Sequence, residues 1–365
     1  MKENIRRFEN VFYPVGGIAN ICNNISELFK ERVKDKECIH LVVSAQLNSF
    51  PHIGTVINFM SAFALGVYLR KTLSKRVDVT FDALDNVSAE TIRVGDDTYY
   101  ISLRDKIVDG TCVADKYLPG FIDLLDRLSN KSNISYSVRL YGEYQSDPIV
   151  RKTMIKVLNN REEFAEILNP NDGRVHIRTV CPICHYGEKS AKHIIVDKTP
   201  KNELIIKNKC YRHGCFETLL AENNTEFVDI NSQIRDFMKA IYLIEKGKED
   251  NSYGIMVDGA DWGGLWPLRV HVESLLKLGY RELAGRIFTP TITDWAGTKL
   301  SKRLYVGDNA FSELQEGLIN YSRFFDKYGI QGFDKLWNEV NSWVETPAKF
   351  FRDYSVDYIE LVLNS

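Results

Sequence analysis

A strand, a sharp turn, a long helix and a second strand fit in residues 39–84, and this run constrains the fold most. Ile39 to Ser44 is short and continuously apolar, the pattern of a strand buried on both faces. A turn containing Gln46, Asn48 and Pro51 follows. Ile57, Met60, Ala64, Val67 and Tyr68 then recur at the spacing of one helix face. Val77 to Leu84 (VDVTFDAL) reads as a second strand. Strand, helix and strand in that order predict a right-handed βαβ unit with parallel strands.

The same alternation returns downstream. Helices are expected over 121–128, 149–168, 231–245 and 267–278, and strands over 134–141, 253–257 and 287–292. The segment from Asp85 to Gly120 reads as polar and irregular. The expected fold class is α/β: a Rossmann-like (HUP-type) doubly wound parallel sheet with a zinc-ribbon-like insertion and a short helical C-terminal region. The expected division is a lead-in over 1–37, a nucleotide-binding domain over 38–174 and 220–305, the insertion over 175–219 and the helical region over 306–365. At 365 residues, 44% of them hydrophobic, the chain can bury a large core. Its net charge of -2 announces no nucleic-acid binder. The charged N-terminus lacks the apolar stretch of a signal peptide, and no run reaches 18 apolar residues. A cytoplasmic protein is therefore expected.

Seven cysteines are an odd set, and four fall in two close pairs, Cys181/Cys184 and Cys210/Cys215. The spacing is C-x2-C, 25 residues, then C-x4-C. Two tight turns that each present two thiolates suit tetrahedral zinc, and four protein ligands would make that zinc structural. His213, inside the second pair, is an alternative to Cys215, with His185 and His193 as weaker ones. Four ordinary reduced cysteines are the competing reading.

The turn after the first strand reads SFPHIGT, Ser49 to Thr55. Gly54 lets a ligand approach the backbone, the helix start turns free amides outward, and His52 adds a donor, which together make an anion site. Alone, this is also what a capped helix with a surface histidine looks like. About 245 residues later the last expected strand leads into Lys299-Leu300-Ser301-Lys302-Arg303. Two lysines flanking a serine can clamp a transferring phosphoryl group, although such a run is also a common solvated loop.

Together the two stretches resemble the HIGH and KMSKS signatures of class I aminoacyl-tRNA synthetases. In the order of its parts the chain is most similar to the class I lysyl-tRNA synthetases, over roughly residues 38–305. Thr55 stands where the commonest signature has a second histidine, and Arg303 where it has a serine. About 60 residues follow Arg303, too few for that family's anticodon-binding domain. The resemblance implies ATP-dependent formation of an aminoacyl-adenylate, with Mg2+ accompanying ATP. It implies catalytic roles for His52, Thr55, Lys299 and Lys302, and ATP contacts from Gly54, Gly259, Asp261 and Ser301. Asp82 and Asp85 end the second strand at the ligand edge of an open sheet, where a carboxylate can meet a substrate ammonium. An aspartate-rich turn explains them as well. The acceptor is expected to be a small-molecule amine or similar group. The alternatives are a tRNA or tRNA mimic charged without anticodon reading, and a non-catalytic binding paralogue. A nucleotidyltransferase is a more distant possibility.

Overall fold

A computed structural model of the chain describes residues 24–264, 267–295, 297–300 and 316–365. In chain order the elements are β1 (Cys38–Gln46), α1 (Ile53–Leu73), β2 (Arg76–Leu84), β3 (Ser88–Val94), β4 (Asp97–Ser102), β5 (Ile107–Val108), β6 (Thr111–Cys112), α2 (Val113–Ser132) and β7 (Ser135–Leu140). Next come α3 (Tyr141–Ser146), α4 (Pro148–Asn159), α5 (Arg161–Leu168), β8 (Ile177–Thr179), β9 (Gly187–Glu188), β10 (Ile195–Lys198), β11 (Leu204–Cys210), β12 (Gly214–Leu220), β13 (Val228–Ile230) and α6 (Ser232–Glu249). The chain continues through β14 (Ser252–Gly259), a π-helical turn (Pro267–Val272), α7 (Glu273–Lys277), β15 (Gly285–Thr289), β16 (Ile292–Thr293), α8 (Glu316–Ile319), α9 (Tyr321–Glu345), α10 (Pro347–Phe350), β17 (Tyr354–Ser355) and α11 (Val356–Asn364).

Five strands form the central sheet in the order β15-β14-β1-β2-β7, and every neighbouring pair is parallel. The fold is thus mixed α/β around a five-stranded parallel sheet, the arrangement expected of a Rossmann-like domain. Alternate residues of each strand face opposite layers. Leu41, Val43, Ile255 and Val257 pack with α1, α2 and the C-terminal helices. Val42 and Met256 pack with α4, α5 and α6.

Helix α1 is not the one-faced helix its spacing predicts. Val56, Ile57, Phe59, Met60, Phe63, Leu65 and Leu69 are all buried, so apolar residues surround it. It lies between the sheet and α9, with α2 alongside, and a helix covered on all sides needs no polar face. It is long and apolar enough to cross a membrane by length and composition, and 67% of its most apolar stretch is buried inside the protein.

The segment expected to be irregular contains two hairpins. β3 pairs antiparallel with β4, and β5 with β6. Asp109 and Gly110, with φ of 51° and 79°, make the tight turn between β5 and β6. Asp-Gly is a preferred dipeptide for such a turn, and it was the available signal. The strand expected over 287–292 is two strands: Pro290 cannot donate to a ladder, and β16 beyond it pairs in parallel with β17 of the C-terminal region. The helix expected over 267–278 begins instead as the π-helical turn.

Within the cysteine segment, β10, β11 and β12 form a three-stranded antiparallel sheet. Nearby, β9 pairs with β4. A buried polar joint reinforces that link: Asp229 accepts hydrogen bonds from Asn86 (2.6 Å) and Tyr100 (2.5 Å) and pairs with Arg178 (2.5 Å).

Candidate active site

The sheet order reverses between β1 and β14, the first and fourth strands of the sheet along the chain. At such a point the loops leaving two adjacent strands diverge and open a crevice at their carboxyl ends. A cleft of about 370 Å³ lies there, lined among others by Ser44, His52, Gly54, Thr55, Asp258, Gly259, Asp261 and Lys299.

His52 is the N-cap of α1, and its Nδ1 accepts a hydrogen bond from the Gly54 amide at 3.1 Å. A neutral imidazole that accepts through Nδ1 carries its proton on Nε2. A Cβ on Gly54 would lie 3.0 Å from His52 Cε1, so a side chain there would press on the ring. Thr55 follows on the first turn and lines the same cleft. Gly259 ends β14, and a Cβ on it would lie 2.6 Å from Asp261 Oδ1; glycine gives that carboxylate its place. Asp261 pairs with Lys299. Both are partly exposed, so the pair contributes little to stability.

Lys299 is held by a tight turn. The Asp294 amide donates to the Thr298 carbonyl, the Leu300 amide to the Ile292 carbonyl, and Gly297 adopts φ of 82°. The Thr298 amide also donates to Asp294 Oδ1 at 2.8 Å. Ser301 and Lys302 lie outside the described residues, as does Arg303.

Asp82 does not line the cleft. Its carboxylate pairs with Lys239 (3.0 Å) and Arg139 (2.8 Å), and Lys239 also donates to Ser44 Oγ. Burial alone would raise the Asp82 pKa, but the two cations hold it below the usual value. The ammonium facing Asp82 is thus the chain's own. Asp85 is also buried, at 5% exposure, and burial pushes its pKa up to about 6 against the pull of Arg104. Its Oδ1 has no hydrogen-bond partner among the described residues.

A second network reaches the cleft through Asp258. Arg286 donates to Asp258 (2.9 Å) and to Asp236, and His271 of the π-helical turn sits 3.0 Å from Asp236. Burial opposes ionisation of Asp236, yet His271 and Arg286 bring its pKa down to about 2. Lys239, Arg139, Asp236 and Arg286 are absent from the sequence reading. A usable signal lay in α6, where Asp236 and Lys239 stand three residues apart among apolar neighbours on the buried face.

The cysteine cluster departs from its expected fourth member. Cys181, Cys184 and Cys210 gather with His213. The Sγ atoms of Cys184 and Cys210 are 3.5 Å apart, and His213 Nδ1 lies 3.4 Å from Cys181 Sγ and 3.7 Å from Cys210 Sγ. Cys215 is exposed and outside the group. The reason is local: the β11–β12 ladder places Cys215 opposite Lys209, one step beyond the turn that brings in His213.

No family model matches the sequence, and no curated protein matches it. Solved structures overlap it distantly. One, from Campylobacter jejuni, is described provisionally as an arginyl-tRNA synthetase; it is 11% identical, with 92% of this chain and 70% of that one covered at a TM-score of 0.35. Another is a glutamate-tRNA synthetase from Elizabethkingia anophelis, 13% identical, with 89% and 70% covered at a TM-score of 0.41. Overlap at this level assigns neither family nor chemistry to this chain.

Proposed function

We propose that the protein activates an amino acid with ATP as an aminoacyl-adenylate and passes the acyl group to a small-molecule amine or similar acceptor. One observation carries the reading: the cleft at the strand reversal collects His52, Gly54 and Thr55, Gly259 and Asp261, and Lys299 from three distant parts of the chain. The resemblance of HIGT and KLSKR to the class I signatures supports it, and the order of parts favours a lysyl-type ancestry.

In this reading a carboxylate oxygen of the amino acid attacks the α-phosphorus of ATP. The bond from that phosphorus to the bridging oxygen breaks, and pyrophosphate leaves. His52 and the first amides of α1 hold phosphate oxygens, and the Thr55 hydroxyl adds a hydrogen bond. Asp261 holds the ribose hydroxyls beside Gly259. Lys299, released from Asp261 when the nucleotide binds, and Lys302 stabilise the leaving pyrophosphate, with Ser301 ordering their loop. Mg2+ arriving with ATP neutralises phosphate charge. A structural zinc suits Cys181, Cys184, Cys210 and His213, because ligands about 2.0–2.3 Å from a tetrahedral zinc stand about 3.3–3.8 Å apart.

A small acceptor is favoured over tRNA by the position of the basic residues near the end of α1. Arg70 donates to the Ser132 and Asn133 carbonyls, and Lys75 to those of Lys34 and Lys36. They lie at the far end of α1, about 30 Å from the cleft at 1.5 Å per residue.

Amino-acid-dependent ATP–pyrophosphate exchange, without RNA, tests the reading across the twenty standard amino acids. Exchange with one amino acid is expected, lost in Lys299→Ala and Lys302→Ala. Absence of exchange with every amino acid, with or without added tRNA, would sink it.

A further inference from the structure

A second cluster of metal-ligating side chains lies at the opposite edge of the sheet. Cys38 and His40 are two residues apart on β1, so both face the α6 layer. Asp78 of β2 is the register partner of His40. Cys38 Sγ lies 3.4 Å from Asp78 Oδ2 and 3.9 Å from His40 Nδ1. His40 Nδ1 contacts Asp78 Oδ1 at 2.5 Å. The other ring nitrogen, Nε2, lies 3.3 Å from Asp250, which caps α6.

We propose that Cys38, His40 and Asp78 form a binding site for a zinc-class divalent metal ion, with Asp250 orienting His40. The donor set, one thiolate, one imidazole and one carboxylate, is that of a borderline divalent ion rather than Mg2+ or Ca2+. The 3.4 Å from Cys38 Sγ to Asp78 already matches neighbouring ligands of a tetrahedral ion, and the 3.9 Å to His40 closes by a few tenths of an ångström on binding. The metal replaces the proton between His40 and Asp78, which opens that contact by about 1 Å to the tetrahedral spacing. That proton and the thiol proton leave to solvent. A carboxylate on the far nitrogen of a ligating histidine fixes the tautomer and the ring, and Asp250 stands there.

Three protein ligands leave a fourth position. A groove of about 460 Å³, lined by His40, Asp78, Thr80, Lys246, Asp250 and Ser252, opens beside the cluster. The fourth position is therefore available to water or a small ligand, unlike a closed structural site. The site is distinct from the ATP cleft. Cys38 and Ser44 are six residues apart on one strand, about 20 Å at 3.3 Å per residue. The inference does not depend on the proposed adenylation.

The test is titration of the full chain with Co2+, reading stoichiometry and the thiolate-to-metal absorption. The chain contains two candidate clusters, so His40→Asn and Cys210→Ser are compared. His40→Asn is expected to lose one equivalent of Co2+ that Cys210→Ser retains, and Cys38→Ser to lose the same one. Asp250→Asn keeps all three ligands and is expected to weaken that equivalent about 10- to 100-fold. This milder variant decides the matter if His40→Asn fails to fold. Binding of equal stoichiometry and affinity in the wild-type chain and in the folded His40 or Asp250 variant would overturn the proposal.

Discussion

Replacing Asp85 with asparagine should stabilise the protein, and by an amount that depends on pH. Burial at 5% exposure raises the folded pKa from the ordinary 3.8 to about 6. The native state therefore binds a proton that the unfolded chain has already released. Below pH 4 both states are protonated, and the buried neutral acid costs little. Between about pH 4 and pH 6 the unfolded chain is ionised while the buried group still holds its proton, so stability falls across that window and levels off once the buried group ionises too. At about 1.4 kcal/mol per tenfold change in affinity, the full interval is worth about 3 kcal/mol. Roughly half of that falls between pH 5 and pH 8.

Asparagine has the same shape and does not titrate. Urea unfolding of wild type and Asp85→Asn at pH 5 and pH 8 isolates the effect, because any neutral packing difference cancels between the two pH values. The variant is expected to gain stability relative to wild type by about 1–2 kcal/mol on moving from pH 5 to pH 8. An equal difference at both pH values would refute the claim that Asp85 is held ionised at a cost, and would mean that Arg104 compensates its charge fully.

Asp82 should behave oppositely. Its folded pKa is depressed by Lys239 and Arg139, so its contribution is present above about pH 4 and is lost as pH falls through the folded value. Asp82→Asn leaves two buried cations without their carboxylate and should cost about 3–5 kcal/mol in urea unfolding at pH 7. A loss below about 1 kcal/mol would show that solvent reaches the pair. In the cysteine cluster, His213→Ala should lower zinc content by about one equivalent and Cys215→Ser should leave it unchanged, as measured by elemental analysis of the purified protein.

The elements that position the cleft were legible because their signals are local. The apolar run at β1, the glycine and histidine where α1 begins, and the period of α6 depend on neighbouring residues alone. The hairpin at Asp109-Gly110 is equally local, a turn dipeptide between two strands of two residues each, too short to show a period of their own. Helix α1 shows the first limit. Its sequence is apolar enough for a helix surrounded by protein, but only the docking of α9 covers its outer side.

By itself the sequence determined the alternation of strands and helices that builds the central sheet and the clustering of the cysteines, and it offered HIGT and KLSKR as candidate site segments. The first two follow from periodicity and spacing, which a chain carries wherever it folds, and the third rests on the resemblance to the class I signatures. Tertiary structure alone decided which charges meet. It gave Asp82 the ammonium of Lys239, 157 residues away, and set Asp261 against Lys299. It chose His213 over Cys215 and brought Cys38 and His40 beside Asp78 and Asp250. Each of these depends on register and on which face of an element is buried. A contact between groups far apart in the chain has no local signature, because its energy comes from desolvation and distance set by the whole fold.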